Sequence, residues 1–308
     1  MSTSAFIGGY LNISKPQDWS STDVVRKLKG LLKVKKIGHG GTLDPLATGV
    51  LPICIGAATR FADTLLLGDK SYRMTVELGS ATNTYDSTGD VTHQADWTHV
   101  TREAIEGSLE QFRGRIEQVP PMYSAIRHKG KRLYELARKG IEVERKARSI
   151  DISKLEFVAL HRNELILDIS CSHGFYARSL AHDLGLALGC FAHMTELVRT
   201  RNGVFSLDSS HTLSEVEEAT ATSDFGWQDL VMPIDTTLKH IGETSLSSDQ
   251  LEMIKYGRPL AANSISLDHP AEVDEEVRAY DPAGNLVAIL IYEPQRLGWR
   301  PLKVLVAA

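Results

Sequence analysis

The stretch GHGGTLDPLATG, residues 38–49, sets one carboxylate, Asp44, among four glycines, with His39 five positions before it and Pro45 directly after. Glycine reaches backbone conformations closed to other residues, so such a loop can carry an acid close to a substrate atom. The pattern is neither GxGxxG nor GxxxxGK followed by Ser or Thr, and an aspartate at the apex repels phosphate, so dinucleotide and P-loop readings fail. A two-carboxylate glycosidase needs a second acid to protonate a leaving group, and the motif supplies none. What remains is a single ionised carboxylate, acting as nucleophile or electrostatic partner beside a group of opposite charge.

The net charge of -5 conceals a split along the chain. Residues 1–206 carry 27 Lys and Arg against 22 Asp and Glu; residues 207–308 carry 7 against 17. Residues 113–148 alone hold 11 basic and 4 acidic side chains, and a second basic run, VVRKLKGLLKVKKIGHG, leads straight into the glycine loop. One charged run is ordinarily a solvated face. Two of them beside a candidate active site point to a polyanion, because such clusters supply the sequence-independent part of nucleic-acid affinity.

The 308 residues, 42% of them apolar, suffice for one large domain and one small one. No window approaches the roughly 18 to 20 apolar residues of a membrane span, and MSTSAFIGGYLNISKP lacks the features of a secretory signal, so a cytoplasmic protein without a membrane partner is expected. Cys54, Cys171 and Cys190 form no CxxC pair, and no disulfide is expected. The pairs Cys171/His173 and Cys190/His193 straddle the ends of expected elements, which is poor geometry for zinc; no metal is expected.

The elements that must position these residues follow from periodicity and turn chemistry. GYLNISKP reads as a strand stopped by Pro16, SSTDVVRKLKGLLK as a helix capped by Ser21 or Thr22, and GVLPICIG as a strand after the loop. KSYRMTVELG alternates, setting Tyr72, Met74, Val76 and Leu78 on one face. SATNTYDSTGD is polar and turn-rich, and a helix is expected near residues 101–112. ISKLEFVAL and ELILDISCS form a hairpin around HRN, GFYARSLAHDLGLALG a helix beginning after Gly174, and FAHMTELVRTRNGVFSL a strand pair turning at Asn202–Gly203. Beyond an acidic stretch, SSDQLEMIKYG, EVRAYDPAGNLVAILIYE and PLKVLVA make a small β-rich unit. Strict βαβ alternation is lacking. The fold class is therefore α+β: a mixed, mostly antiparallel sheet domain over residues 1–238, with a basic insertion at about 113–148, and a second domain over 239–308.

NISKPQDWSS, GHGGTLDPLATGVLPICIG, KSYRMTVELG, QVPPMYSAIRHKGKRLYELARKGIEV, CSHGFYARSLAHDLG and HMTELVRTRNG resemble the successive motifs of the bacterial TruB family of tRNA pseudouridine-55 synthases, from about residue 8 to 206. The C-terminal unit resembles that family's PUA-like module. The resemblance implies a pseudouridine-synthase fold and an enzyme that breaks the N1–C1' bond of uridine 55 in the tRNA T-loop, turns the base and rejoins it through C5. Nothing leaves, so one carboxylate is enough.

By the same resemblance Asp44 is the catalytic residue, Arg178 its basic partner, and Tyr72 the catalytic ring that stacks on the target base and handles a proton. His39 fills the space vacated by the flipped nucleotide, and Tyr176 and Leu197 line the uridine pocket. Ser124, Lys129 and Arg132 are candidates for contacts to the RNA backbone. The resemblance further implies no cofactor, a monomer acting on the T-arm of tRNA, and no guide RNA, since guide-dependent relatives lack the insertion. The competing class is an RNA-binding or RNA-folding protein with a silent pocket, which would keep the basic segments and need neither Asp44 nor Arg178.

Overall fold

The computed structural model describes residues 6–124, 126–128, 130–137, 139–221, 226–296 and 298–305. Strand β1 (Gly8–Lys15) is buried through its centre and stops at Pro16. Helix α1 (Ser21–Leu32) turns Val24, Leu28 and Leu32 inward. Its cap is Ser20, one residue earlier than the sequence suggests, because Ser20 and Asp23 form a reciprocal capping box. Ser21 is thereby left for another task.

Strands β2 (Ile37–His39) and β3 (Thr48–Gly56) pair antiparallel, with His39 opposite Ile53, so the glycine loop is the tip of this pair. Helix α2 (Ala62–Leu67) leads to β4 (Lys70–Leu78), whose even-numbered residues from Met74 face the core. The polar stretch after it is a small hairpin, β5 (Ser80–Thr82) with β6 (Val91–Gln94), where turn chemistry alone was expected. Next come α3 (Arg102–Leu109) and β7 (Gly114–Gln118). The basic insertion holds the two-residue strands β8 (Arg127–His128) and β9 (Lys131–Arg132) and the short helix α4 (Leu133–Ala137).

The expected hairpin follows as β10 (Arg148–His161) and β11 (Glu164–Cys171), then α5 (Ala177–Ala187), β12 (Ala192–Asn202), β13 (Phe205–Ser206) and α6 (Leu213–Ala221). The turn after β12 falls at Gly203–Val204, one residue later than expected, because Asn202 still pairs with Phe205. The main sheet has nine strands in the order β1-β3-β12-β4-β11-β10-β7, with β2 beside β3 and β13 beside β12. Only β12 with β3 is parallel, Val198 facing Thr48 and Arg199 facing Gly49. That pairing joins two segments distant in sequence directly behind the Asp44 loop.

Two apolar layers hold the sheet. Ile105 and Leu109 of α3 and Leu180 and Leu184 of α5 pack with Met74, Val76, Leu167 and Met194; Val24, Leu28 and Leu32 of α1 pack with Leu11, Ile13, Leu51 and Ile53. The C-terminal unit comprises β14 (Gly242–Ser245), α7 (Ser248–Lys255), β15 (Leu260–Ala261), β16 (Glu276–Tyr280), β17 (Leu286–Glu293) and β18 (Gly298–Val304). Its sheet runs β14-β16-β17-β18-β15.

This unit shares a core with the main sheet: Leu286, Ile289 and Leu305 cluster with Tyr10, Phe61 and Phe205. The Tyr280 hydroxyl donates to Asp235 at 2.9 Å, and Lys303 Nζ donates to the Arg60 carbonyl at 2.8 Å. Cys54, Cys171 and Cys190 are free and buried. Among the described residues no helix is long and apolar enough to cross a membrane.

Candidate active site

Six consecutive carbonyls of the glycine loop each accept a hydrogen bond. Asn202 Nδ2 donates to Gly40 O (3.0 Å), Arg199 to Gly41 O (Nη2, 3.1 Å) and Thr42 O (Nη1, 3.4 Å), and Ser21 Oγ to Leu43 O (3.1 Å). Ala47 N donates to Asp44 O (3.1 Å), while Pro45 O takes bonds from Asp18 N (2.9 Å) and Lys15 Nζ (3.1 Å). Ser21 Oγ also accepts from Leu43 N at 2.8 Å. Buried carbonyls without partners are costly, so this set of donors fixes one course for the loop.

Glycine is required where elements touch. A side chain on Gly49, at φ 94°, would place its Cβ 2.3 Å from the Arg199 carbonyl, and one on Gly40 would lie 2.3 Å from Leu65 Cδ1. The parallel strands approach each other too closely to admit a Cβ.

Arg178 enters from the second residue of α5. Its Nε lies 3.0 Å from Asp44 Oδ2 and its Nη1 3.6 Å from Asp86 Oδ2. Nη1 also donates to Thr84 O (3.3 Å) and Nη2 to Tyr123 O (2.8 Å). One guanidinium thus ties the glycine loop, the β5–β6 hairpin and the insertion, at Tyr123, to α5. The side chain of Asp44 stays 40% exposed while those of Arg178 and Asp86 are 7% and 6% exposed, so the carboxylate alone can meet a ligand.

Burial pushes the Asp44 carboxyl above the ordinary aspartate range; Arg178 opposes this and the Asp86 charge adds to it. The site therefore holds a carboxylate more basic than a free aspartate, aimed by its arginine.

Tyr72 and Leu197 stand on one sheet face, because Leu197 is opposite Met74 and Tyr72 lies two residues before Met74 on β4. The Tyr72 ring packs against Phe175 with centroids 6.0 Å apart, and its hydroxyl, raised in pKa by burial, lies beside the Arg199 guanidinium. Tyr176 precedes α5. Its N–H donates to Gln118 Oε1 (2.8 Å), and Gln118 Nε2 donates back to its carbonyl (3.0 Å). His39, half-buried, accepts from Gly41 N through Nδ1 at 3.4 Å, and burial lowers its pKa. The structure thus brings Arg178, Tyr72 and Tyr176 near Asp44, puts Leu197 on the sheet face of Tyr72, and sets His39 at the foot of the loop.

The three backbone-contact candidates fare differently. Ser124 is buried, 5% exposed, beside Tyr176, so its hydroxyl is turned from the surface where a phosphate would lie. Lys129 lies outside the described residues, and Arg132 falls in β9. Among the described residues no cluster of three His, Cys, Asp or Glu could hold a metal ion; Cys171 Sγ is directed at the Lys70 carbonyl and His193 Nδ1 at the Ser80 carbonyl.

Sequence reasoning missed Asp86, Arg199, Lys15, Ser21 and Asn202. Asp86 sits in YDSTGD, where an aspartate among Thr and Gly signals a turn, and its bonds with Thr84 and Thr88 are indeed turn bonds. Arg199 is 1% exposed. Only its place among apolar neighbours on a strand hinted at this.

Residues 29–177 match the model described as TruB family pseudouridylate synthase (N terminal domain), and residues 178–239 that of the tRNA pseudouridylate synthase B C-terminal domain. The tRNA pseudouridine synthase B of Chromobacterium violaceum is 45% identical over 254 residues, 82% of each chain. That of Dehalococcoides mccartyi is 40% identical over 299 residues, 97% of this chain and 96% of its own. Among solved structures, a chain in a Cbf5-Nop10-Gar1 complex matches with TM-score 0.72 and 26% identity, covering 97% of this chain and 85% of that one.

Proposed function

The chain belongs to the TruB family of pseudouridylate synthases, and on that premise we propose that it converts uridine 55 in the T-loop of tRNA, with Asp44 as the catalytic carboxylate. It is a tRNA pseudouridine synthase, isomerising uridine to pseudouridine.

The observation that carries the residue assignment is the 3.0 Å contact between Asp44 Oδ2 and Arg178 Nε, made by two side chains 134 positions apart, with Asp44 partly exposed where Arg178 and Asp86 are buried. The glycosidic bond breaks between N1 and C1', the base turns, and a bond forms between C5 and C1' as the C5 proton is lost and N1 takes one up. An ionised carboxylate serves this either by attack at C1' or by accepting the C2' proton, and Arg178 favours the ionised form in both cases. A T-loop uridine must leave its stack first, at about a few kcal/mol. Stacking on Tyr72 returns roughly 1 to 3 kcal/mol, and Leu197 and Tyr176 bound the base. His39, at the foot of the loop, takes up space beside the everted nucleotide.

The protein acts as a cytoplasmic monomer on the T-arm of tRNA, with no cofactor, guide RNA or membrane. The net positive insertion supports recognition of an RNA without a guide, because it brings its own counterions to the phosphates. The test is incubation of an unmodified tRNA with the protein and no additive, followed by modification mapping. Pseudouridine at position 55 with wild type and none with Asp44→Asn is expected. Equal product from both, or product elsewhere only, refutes the assignment.

A further inference from the structure

We propose that Tyr85 and His182 form a positioning pair that seats Asp86 against Arg178, and through it sets the ion pair of Asp44; this rests on the reading of Asp44 as catalytic. Arg178 and His182 are four residues apart on α5, so their side chains leave the same face one turn apart. The first meets Asp86. The second stacks on Tyr85, the residue before Asp86, with ring centroids 3.9 Å apart and planes 10° from parallel. Helix and turn are therefore keyed at two adjacent points.

The turn itself needs such a key. Tyr85 has φ 65°, a left-handed conformation that a bulky residue holds only where its surroundings impose it. Its carbonyl accepts from Met194 N (3.0 Å), and Ser87 N donates to Met194 O (2.9 Å), so β12 brackets the turn through its backbone. Within the turn, Thr84 Oγ1 (2.7 Å) and Thr88 N (3.0 Å) both donate to Asp86 Oδ1, which leaves Oδ2 for the guanidinium. These bonds orient the carboxylate within its turn. They do not fix the turn against α5.

Among the described residues that is done by the stacked rings and by Arg178, through its ion pair with Asp86 and its Nη1 bond to the Thr84 carbonyl (3.3 Å). His182 Nδ1 is buried without a hydrogen-bond partner among the described residues, and the contact of the ring with Tyr85 is made through its face. Burial lowers its pKa, which favours the neutral ring.

The test is pseudouridine formation in a T-arm stem-loop by the full chain, in single turnover, with RNA affinity measured separately. His182→Ala lowers the rate about five- to tenfold, the scale of one lost aromatic pair, with affinity unchanged. His182→Phe, which keeps a flat ring, restores the rate. Tyr85→Asn tolerates the left-handed backbone but has no ring, and it reproduces the loss from the other side of the contact. In an Asp86→Asn background neither change lowers the rate further, because no carboxylate remains to be seated. Full activity of both His182→Ala and Tyr85→Asn, or an equal loss in the Asp86→Asn background, overturns the pair. A wild-type protein that forms no product removes the catalytic reading itself, and this proposal with it.

Discussion

The loop that carries Asp44 and the segment from 119 to 147 lie at opposite extremes of constraint, although the proposed function sets both against one RNA. In the loop, every carbonyl from Gly40 to Pro45 has a donor, drawn from α1, β1, β12 and the loop itself. Among the described residues of the segment, regular structure is limited to two two-residue strands and a five-residue helix, and Lys139, Glu142, Glu144 and Lys146 are exposed. A reacting atom must arrive within a fraction of an ångström of its place. Phosphate charge is felt over about 10 Å at moderate salt, so the groups that answer it need no such accuracy. The molecule invests its hydrogen bonds accordingly.

That contrast can be broken at several points. The largest effect is expected at the carboxylate: Asp44→Asn should reduce single-turnover product by about 10³-fold or more while RNA affinity stays within about tenfold. Parallel loss of binding would mean that the loop recognises RNA rather than transforming it. Replacing Arg178 with Met removes the cation that aims and ionises Asp44, and about 10²- to 10³-fold in rate should go with it.

The pH profile sharpens the same half of the comparison. Burial and Asp86 raise the Asp44 pKa, so the acid limb of kcat/KM should lie above the ordinary aspartate range, with activity gained as pH rises through it. Asp86→Asn removes a negative neighbour, favours ionisation of Asp44, and should move that limb to lower pH. A limb that stays in place would show that another group governs it.

On the other half, Lys139→Glu combined with Lys146→Glu should weaken tRNA binding about tenfold at low salt and flatten its salt dependence, with the rate at saturating RNA unchanged. A lowered saturated rate with a normal salt slope would invert the division of labour. The smallest effect is expected at Ser21→Ala, which leaves both the N–H and the carbonyl of Leu43 without their partner. About 1 to 3 kcal/mol of stability should be lost, read as a lower midpoint in urea.

Much of this architecture is legible in the sequence because its signals are local. Alternation fixes β4 and therefore the face of Tyr72; the apolar stripe fixes α1; the glycines and Asp44 announce their loop. What escapes is polar chemistry whose local signature mimics a commoner role. Ser21 reads as a helix cap, yet Ser20 caps and Ser21 braces Leu43. Asn202 reads as a turn residue, yet its amide holds Gly40 O. Asp86 is a turn residue that also meets Arg178 of α5, and one segment alone cannot reveal that second contact. Ser124 shows the converse, a polar residue in a basic run that the fold buries.

The acidic C-terminal unit has a consequence independent of anything it touches outside the protein. Because Leu286, Ile289 and Leu305 complete the apolar seam of Tyr10, Phe61 and Phe205, removing the last seventy or so residues would leave raw hydrocarbon along the first strand of the catalytic sheet. Because the seam is common to both sheets, loosening the small one is expected to unsettle the large one, and the tail acts as a cover for β1.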